Sequence, residues 1–309
     1  MPDNPFTDPL FADTALTVGG ALLILLAGAV LREWRRSRGR SAERALLAPV
    51  VTASIVVALL MVALFAGGFV LMICSAAIAG IGTYEYATMT SLGRPYTLLL
   101  VIWSTGGLLL TEMQSVHVLL LLPVTLFLSA TIVPVVSGRV DGAHRQVGAV
   151  VFGYLYIGLP MAYLLFIRSD PAGLRLLLVV IAGAWLADTC GYAIGSKLGG
   201  PKLAPTVSPD KTWSGAAGSV VGAMLGVALL RHAVALPGGL RHLVVLGAVT
   251  AIGAVWGDLV ESFVKRDWRV KDAGVILPGF GGVLDRFDSL FITIPATYYV
   301  MLGEQYFGR

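Results

Sequence analysis

Charge is scarce in this chain: Lys, Arg, Asp and Glu make up 13% of 309 residues, 57% are hydrophobic, and the mean hydropathy is +0.83. That balance excludes an ordinary water-soluble globular domain and points to a helical membrane protein. Cysteine is scarcer still. Cys74 and Cys190 stand in apolar sequence without a CxxC pattern or a Cys/His partner, so neither a disulfide framework nor a zinc site is available, and both read as small core residues. The first 31 residues hold Asp3, Asp8 and Asp13 but no Lys or Arg. The basic start of a secretory signal peptide is therefore missing, and the first apolar stretch is expected to be a retained span. A Walker A sequence, an obvious Ser/His/Asp relay, internal repeats and low-complexity linkers are also lacking. His117, His144, His232 and His242 all lie outside the polar segments that carry chemistry, and read as surface or interfacial residues.

What the chain has in abundance is long apolar stretches, near 15–31, 46–66, 69–86, 96–110, 117–136, 147–167, 174–195, 214–230, 241–264 and 288–307. Backbone polar groups in hydrocarbon must pair within their own segment, so these stretches are expected to be helices. The expected fold is all-α, a polytopic integral membrane bundle of about nine to ten transmembrane helices, the close pair within 46–86 setting the count. One continuous membrane domain is expected. Residues 1–173 supply its N-terminal helices and a basic loop at 32–44, and 174–309 form the C-terminal region carrying both polar segments. With the N-terminus outside, seventeen of the twenty-two Lys and Arg fall on inward loops, which favours a cytoplasmic position for the segments 196–213 and 265–287. The net charge of +4 and the arginines of 32–44 follow from that topology, with Trp34 and Tyr298, Tyr299 and Tyr306 as interfacial aromatics.

The first polar segment runs from Asp188 to Ser219. Asp188 lies in an apolar helix with Tyr192 and Gly195 on the same face, so it is expected to look into the bundle, as either a packing carboxylate or a site residue. Gly199, Gly200 and Pro201 then break the helix, and Ser208, Lys211 and Thr212 precede the next span. Hydroxyls, a Lys and free N–H groups at a helix start suit a phosphate.

The second segment, 257–289, concentrates eleven charged side chains in thirty-three positions. An ionised group near the bilayer centre costs about 2.5–3.5 kcal/mol on the mildest insertion scale, so such density must serve a site. Asp258, Glu261, Ser262 and Lys265 form one helical stripe. Arg266, Arg269 and Lys271 follow, then a PGFGG turn, then Asp285 and Asp288 one turn apart at the start of the last span. Carboxylates at the ends of two helices, framed by basic side chains and glycine, are the parts needed to hold Mg2+ and a polyphosphate together. The plain alternative, a solvated loop closed by Lys/Asp pairs, does not require acids reaching into apolar helices.

The run Ser262-Phe263-Val264-Lys265-Arg266, with Lys271-Asp272 and Pro278 through Ser289 (PGFGGVLDRFDS), resembles the C-terminal motif of the phosphatidate cytidylyltransferases, or CDP-diacylglycerol synthases. Lys202-Leu203-Ala204-Pro205, Ser208-Pro209 and Lys211-Thr212 resemble that family's second motif. The resemblance covers Asp188 to Ser289, about the last third of the chain. It implies a multi-pass enzyme of the cytoplasmic (inner) membrane, a homodimer with no nucleic-acid partner, whose cytoplasmic site joins CTP to phosphatidate and releases pyrophosphate. Its cofactor is Mg2+, a second cation being left open. The implied metal ligands are Asp258 and Asp285, with Asp288 near enough to assist. Nucleotide and phosphate contacts correspond to Ser208, Lys211, Thr212, Lys265, Arg266, Lys271 and Arg286, and the catalytic group is Asp258, Asp285, Lys265, Arg266 and Lys211.

Two positions depart from the pattern: Phe280 stands where the family commonly has His, and Ser214 where it commonly has Glu. Phe neither donates a hydrogen bond nor shuttles a proton. Another lipid phosphate or lipid alcohol as acceptor, and a non-catalytic paralogue or transporter, remain the competing readings. Transporters place coupling residues near the midplane in related halves, whereas these charges gather on one side.

Overall fold

The computed structural model describes residues 55–111, 116–233, 239–270, 273–274 and 281–307. The expected span at 15–31, the basic loop at 32–44, Trp34, Lys271, Asp272 and Phe280 lie outside these residues. The described chain forms nine helices: α1 (Ile55–Ala66), α2 (Gly68–Met89), α3 (Arg94–Thr111), α4 (Val116–Ser137), α5 (Ala143–Ser169), α6 (Gly173–Leu198), α7 (Trp213–Ala233), α8 (Leu240–Asp267) and α9 (Leu284–Phe307). Six of them, α2 and α4 to α8, are long and apolar enough to cross a membrane, which makes the protein a multi-pass helical membrane protein.

The core gathers around α5, the most enclosed of these helices. Its middle turn, Tyr154–Gly158, widens to π-helical geometry, and Tyr154, Tyr156 and Ile157 there are buried. A π turn carries one residue more than the regular ladder and so redirects the side chains beside it. Tyr156 is redirected onto α8, where its hydroxyl donates to the Gly257 carbonyl at 3.3 Å.

Small residues set how closely the remaining helices approach. Along the α6–α7 seam, a Cβ at Gly226 would lie 2.8 Å from the Gly183 Cα, and one at Gly195 would lie 3.0 Å from the Gly215 Cα. Backbone meets backbone there, the usual means of association where lipid removes the hydrophobic drive between helices. Cys190 belongs to the same seam, its carbonyl 2.8 Å from where a Gly218 Cβ would sit. The second close crossing joins α8 to α9. Gly253 faces Thr293, and Gly257 rests against the Asp288 carbonyl and Ser289, leaving no room for a side chain.

The segment after α6 departs from the all-helical expectation. Gly199 and Gly200, with φ of +60° and +109°, turn the chain out of the helix. It then forms a short antiparallel hairpin of β1 (Lys202–Ala204) and β2 (Ser208–Thr212), in which Lys202 faces Thr212 and Ala204 faces Ser208. Strands of three and five residues are too short to show alternation in sequence. Thr212 then starts α7, its Oγ1 accepting the Gly215 N–H at 3.1 Å in the manner of an N-cap.

Candidate active site

The two polar segments meet at one end of the bundle. Lys211, from β2, places Nζ 2.6 Å from Asp258 Oδ2 on α8, and Arg266 Nε donates to the Val207 carbonyl of the hairpin at 3.3 Å. Between α6, α7, α8 and the hairpin lies a cavity of about 620 Å3, and Asp188, Ser208, Asp210, Lys211, Thr212 and Asp258 are among the groups on its wall. Glycines at 191, 195, 199 and 215 line the same space, so backbone itself forms part of the wall.

Beside this cavity the α8–α9 crossing assembles an acidic group. Because Gly257 lets α8 touch α9 at Asp288, carboxylate oxygens of Asp258, Glu261 and Asp288 come within 4.8 Å of one another. Asp188 joins from α6 through Ser289, whose hydroxyl donates to Asp188 Oδ2 at 3.1 Å. Ser289 N–H also donates to Asp288 Oδ1 at 2.7 Å. Three carboxylates this close repel unless protons or a cation intervene. Glu261 sharpens the point: it is 3% exposed, and its Oε1 has no hydrogen-bond partner among the described residues. A buried glutamate with an unpaired oxygen, grouped with two further acids, fits a divalent cation, for which oxygen donors of this type are the natural ligands.

Two lysines border the acids. Lys211 is shared between Asp258 and the Val255 carbonyl, at 2.6 and 3.5 Å. Lys265 sits between Glu261 Oε2 and Asp285 Oδ1, 3.0 Å from each. Asp285 also accepts the Gly282 N–H at 2.9 Å through Oδ2 and the Ala273 N–H at 3.4 Å through Oδ1. Both of its oxygens are thus engaged by donors, and within the described residues Glu261, not Asp285, completes the acidic triad with Asp258 and Asp288.

The other sequence candidates divide plainly. Ser208 and Thr212 line the cavity, Arg266 and Arg286 are exposed at the same end of the bundle, and Lys271 lies outside the described residues. Ser214, one of the two departures, is within 2.9 Å of the Thr212 hydroxyl and donates to the Gly199 carbonyl, so it ties the start of α7 to the end of α6.

A family model described as the cytidylyltransferase family matches residues 48–303. The chain belongs to the cytidylyltransferase family. It is 44% identical over 147 residues to the phosphatidate cytidylyltransferase of Brucella suis biovar 1 (strain 1330), covering 47% of this chain and 54% of that protein. It is 34% identical over 200 residues to the phosphatidate cytidylyltransferase of Bacillus subtilis (strain 168), covering 64% and 71%. A third such enzyme, from Rickettsia bellii (strain RML369-C), is 31% identical over 205 residues, covering 63% and 87%. The chain thus spans about half the length of the Brucella relatives it matches.

Membership in the cytidylyltransferase family extends well beyond the two motifs, back to residue 48. Two residues from that earlier part reach the site without any signal in the motifs. Tyr156 holds the backbone next to Asp258. Glu85, on α2, accepts the Leu284 N–H at 2.9 Å. A lone acid within an apolar helix was the only sequence sign available for Glu85, and nothing marked Tyr156.

Proposed function

We propose that the protein transfers the cytidylyl group of CTP to phosphatidate, giving CDP-diacylglycerol and pyrophosphate, with Mg2+ as cofactor. The observation that carries this reading is the meeting of Asp258, Glu261 and Asp288 with Lys211 and Lys265, with Asp258 also on the wall of the 620 Å3 cavity. Acids and a nucleoside triphosphate share such a space only with cations between them, and lysines alone leave carboxylates in excess.

Asp258 and Asp288, with Glu261, hold the metal in this proposal, and Asp285 fixes Lys265. Bound Mg2+ supplies charge neutralisation and orientation of phosphate oxygens. The chain's own residues do the rest. Ser208, Thr212 and the start of α7 receive phosphate oxygens at the cavity wall. Lys211, Lys265 and Arg266 offset charge that builds on the departing pyrophosphate, together with Lys271 and with Arg286, the residue after Asp285. An oxygen of the phosphatidate phosphate forms a bond to the α-phosphorus, and the bond from that phosphorus to the oxygen bridging the β-phosphate breaks, its electrons leaving with pyrophosphate. The attacking oxygen is already anionic, so positioning replaces proton abstraction. The finer features belong to the same proposal: nine to ten crossings, a cytoplasmic site in the inner membrane, a homodimer, room for a second cation, and residues 174–309 as the catalytic region resting on 1–173.

Purified protein in detergent, given labelled CTP, phosphatidate and Mg2+, is expected to form CDP-diacylglycerol with one pyrophosphate per turnover, and Asp258→Asn is expected to form it about a hundredfold or more slowly. Product from an isoprenyl phosphate in place of phosphatidate would reassign the acceptor. Absence of product from every lipid phosphate would overturn the proposal.

A further inference from the structure

We infer that Glu85 is a positioning residue for the reaction, holding Gly274, Gly282 and the start of α9 so that Asp285 and Lys265 are correctly set. The inference rests on the function proposed above. Glu85 stands near the end of α2, 199 residues away in sequence from the group it binds, and is 3% exposed. Burying a carboxylate this completely costs several kcal/mol unless strong partners compensate. Its Oε2 accepts the N–H of Leu284, the first residue of α9, at 2.9 Å. That N–H is one of the donors a helix cannot satisfy within itself, and the start of a helix is where a negative charge is best accommodated.

The surroundings of Glu85 are shaped to it. A Cβ on Gly282 would come within 2.8 Å of Oε2, and one on Gly274 would collide with Oε1 and the carboxyl carbon. Two glycines therefore close on a single carboxylate, and Oε1 has no hydrogen-bond partner among the described residues. Next in sequence to Leu284 comes Asp285, which reaches back to the Gly282 N–H and across to Lys265. Asp288 follows one turn later. Moving Leu284 moves all of these, and Lys265 is also the partner of Glu261. Glu85 touches none of the reacting groups. It acts by fixing the helix start from which they project.

The experiment compares wild type with Glu85→Asp, Glu85→Gln and Glu85→Ala, following hydrogen exchange over residues 281–290 as well as kcat, KM for CTP and thermal stability. Aspartate keeps the charge but withdraws it from Leu284 by one methylene, and glutamine keeps a carbonyl acceptor at full reach. Glu85→Asp is expected to speed exchange in 281–290 and lower kcat about tenfold or more, with KM for CTP within about threefold, because misplacement on the ångström scale acts on rate. Glu85→Gln is expected to recover most of the rate, and Glu85→Ala to be worst if it folds. A Glu85→Asp protein with wild-type exchange and wild-type kcat overturns the inference, as does a set of variants whose kcat falls only as their stability falls. Wild type that makes no CDP-lipid would sink the proposed function instead, while the exchange comparison would still decide whether Glu85 fixes the start of α9.

Discussion

Lys211 and Asp258 form an ion pair of 2.6 Å between the β hairpin and α8, and the pair joins segments forty-seven positions apart in the chain. It bridges two polar segments that hydropathy alone leaves separate.

Because the two side chains act as one unit, their substitutions are expected not to add. Lys211→Ala and Asp258→Asn should each lower kcat/KM by about a hundredfold or more, and the double variant should be little worse than the poorer single one. Steady-state kinetics on the three proteins checks this. Lys211→Arg is expected to be impaired as well, since a planar guanidinium does not replace a compact ammonium at a short contact.

Glu261 and Asp285 are expected to fail differently. Glu261→Gln removes a carboxylate from the acidic triad and should raise the Mg2+ concentration for half-maximal activity about tenfold or more. Asp285→Asn weakens the hold on Lys265, Gly282 and Ala273, and should lower kcat about tenfold while leaving that Mg2+ concentration within about twofold. Mg2+ titrations of both variants make the comparison. A larger Mg2+ shift in Asp285→Asn would return Asp285 to the metal.

Gly253 and Gly257 offer a paired control along one helix. Alanine at either meets α9, at Thr293 or at Asp288 and Ser289, and overpacking of this kind costs about 1–3 kcal/mol. Both variants should melt earlier in detergent. Gly257→Ala should also change the Mg2+ dependence, since it separates Asp258 from Asp288, whereas Gly253→Ala, one turn further from the acids, should not.

The helices were legible because hydrophobicity in lipid leaves few alternatives. The stretches at 69–86, 174–195 and 241–264 became Gly68–Met89, Gly173–Leu198 and Leu240–Asp267. The last of these helices outruns its apolar stretch because polar residues continue the same helix into the site: Lys265, Arg266 and Asp267 are all helical. Hydropathy marks where lipid ends, while the hydrogen-bond ladder decides where a helix ends. The stripe of Asp258, Glu261 and Lys265 was legible from spacing, yet spacing gave no way to tell that Lys265 would pair with both Glu261 and Asp285, or that Glu261 rather than Asp285 would gather with Asp258 and Asp288. That choice depends on the Gly257 crossing, a contact between two helices. The hairpin at 202–212 was too short for any periodic signal. The role of Glu85 was hidden for a related reason, since its partner is a backbone N–H and backbone has no sequence signature.

The α6–α7 seam has an evolutionary consequence. Where glycine backbones form part of a chamber wall, there are no bulky groups to trim, and nearly every replacement there shrinks the space or pries the two helices apart. Adaptation to a larger or differently shaped guest must therefore proceed through wall side chains outside the reacting groups, such as Tyr192, Leu203 and Val255.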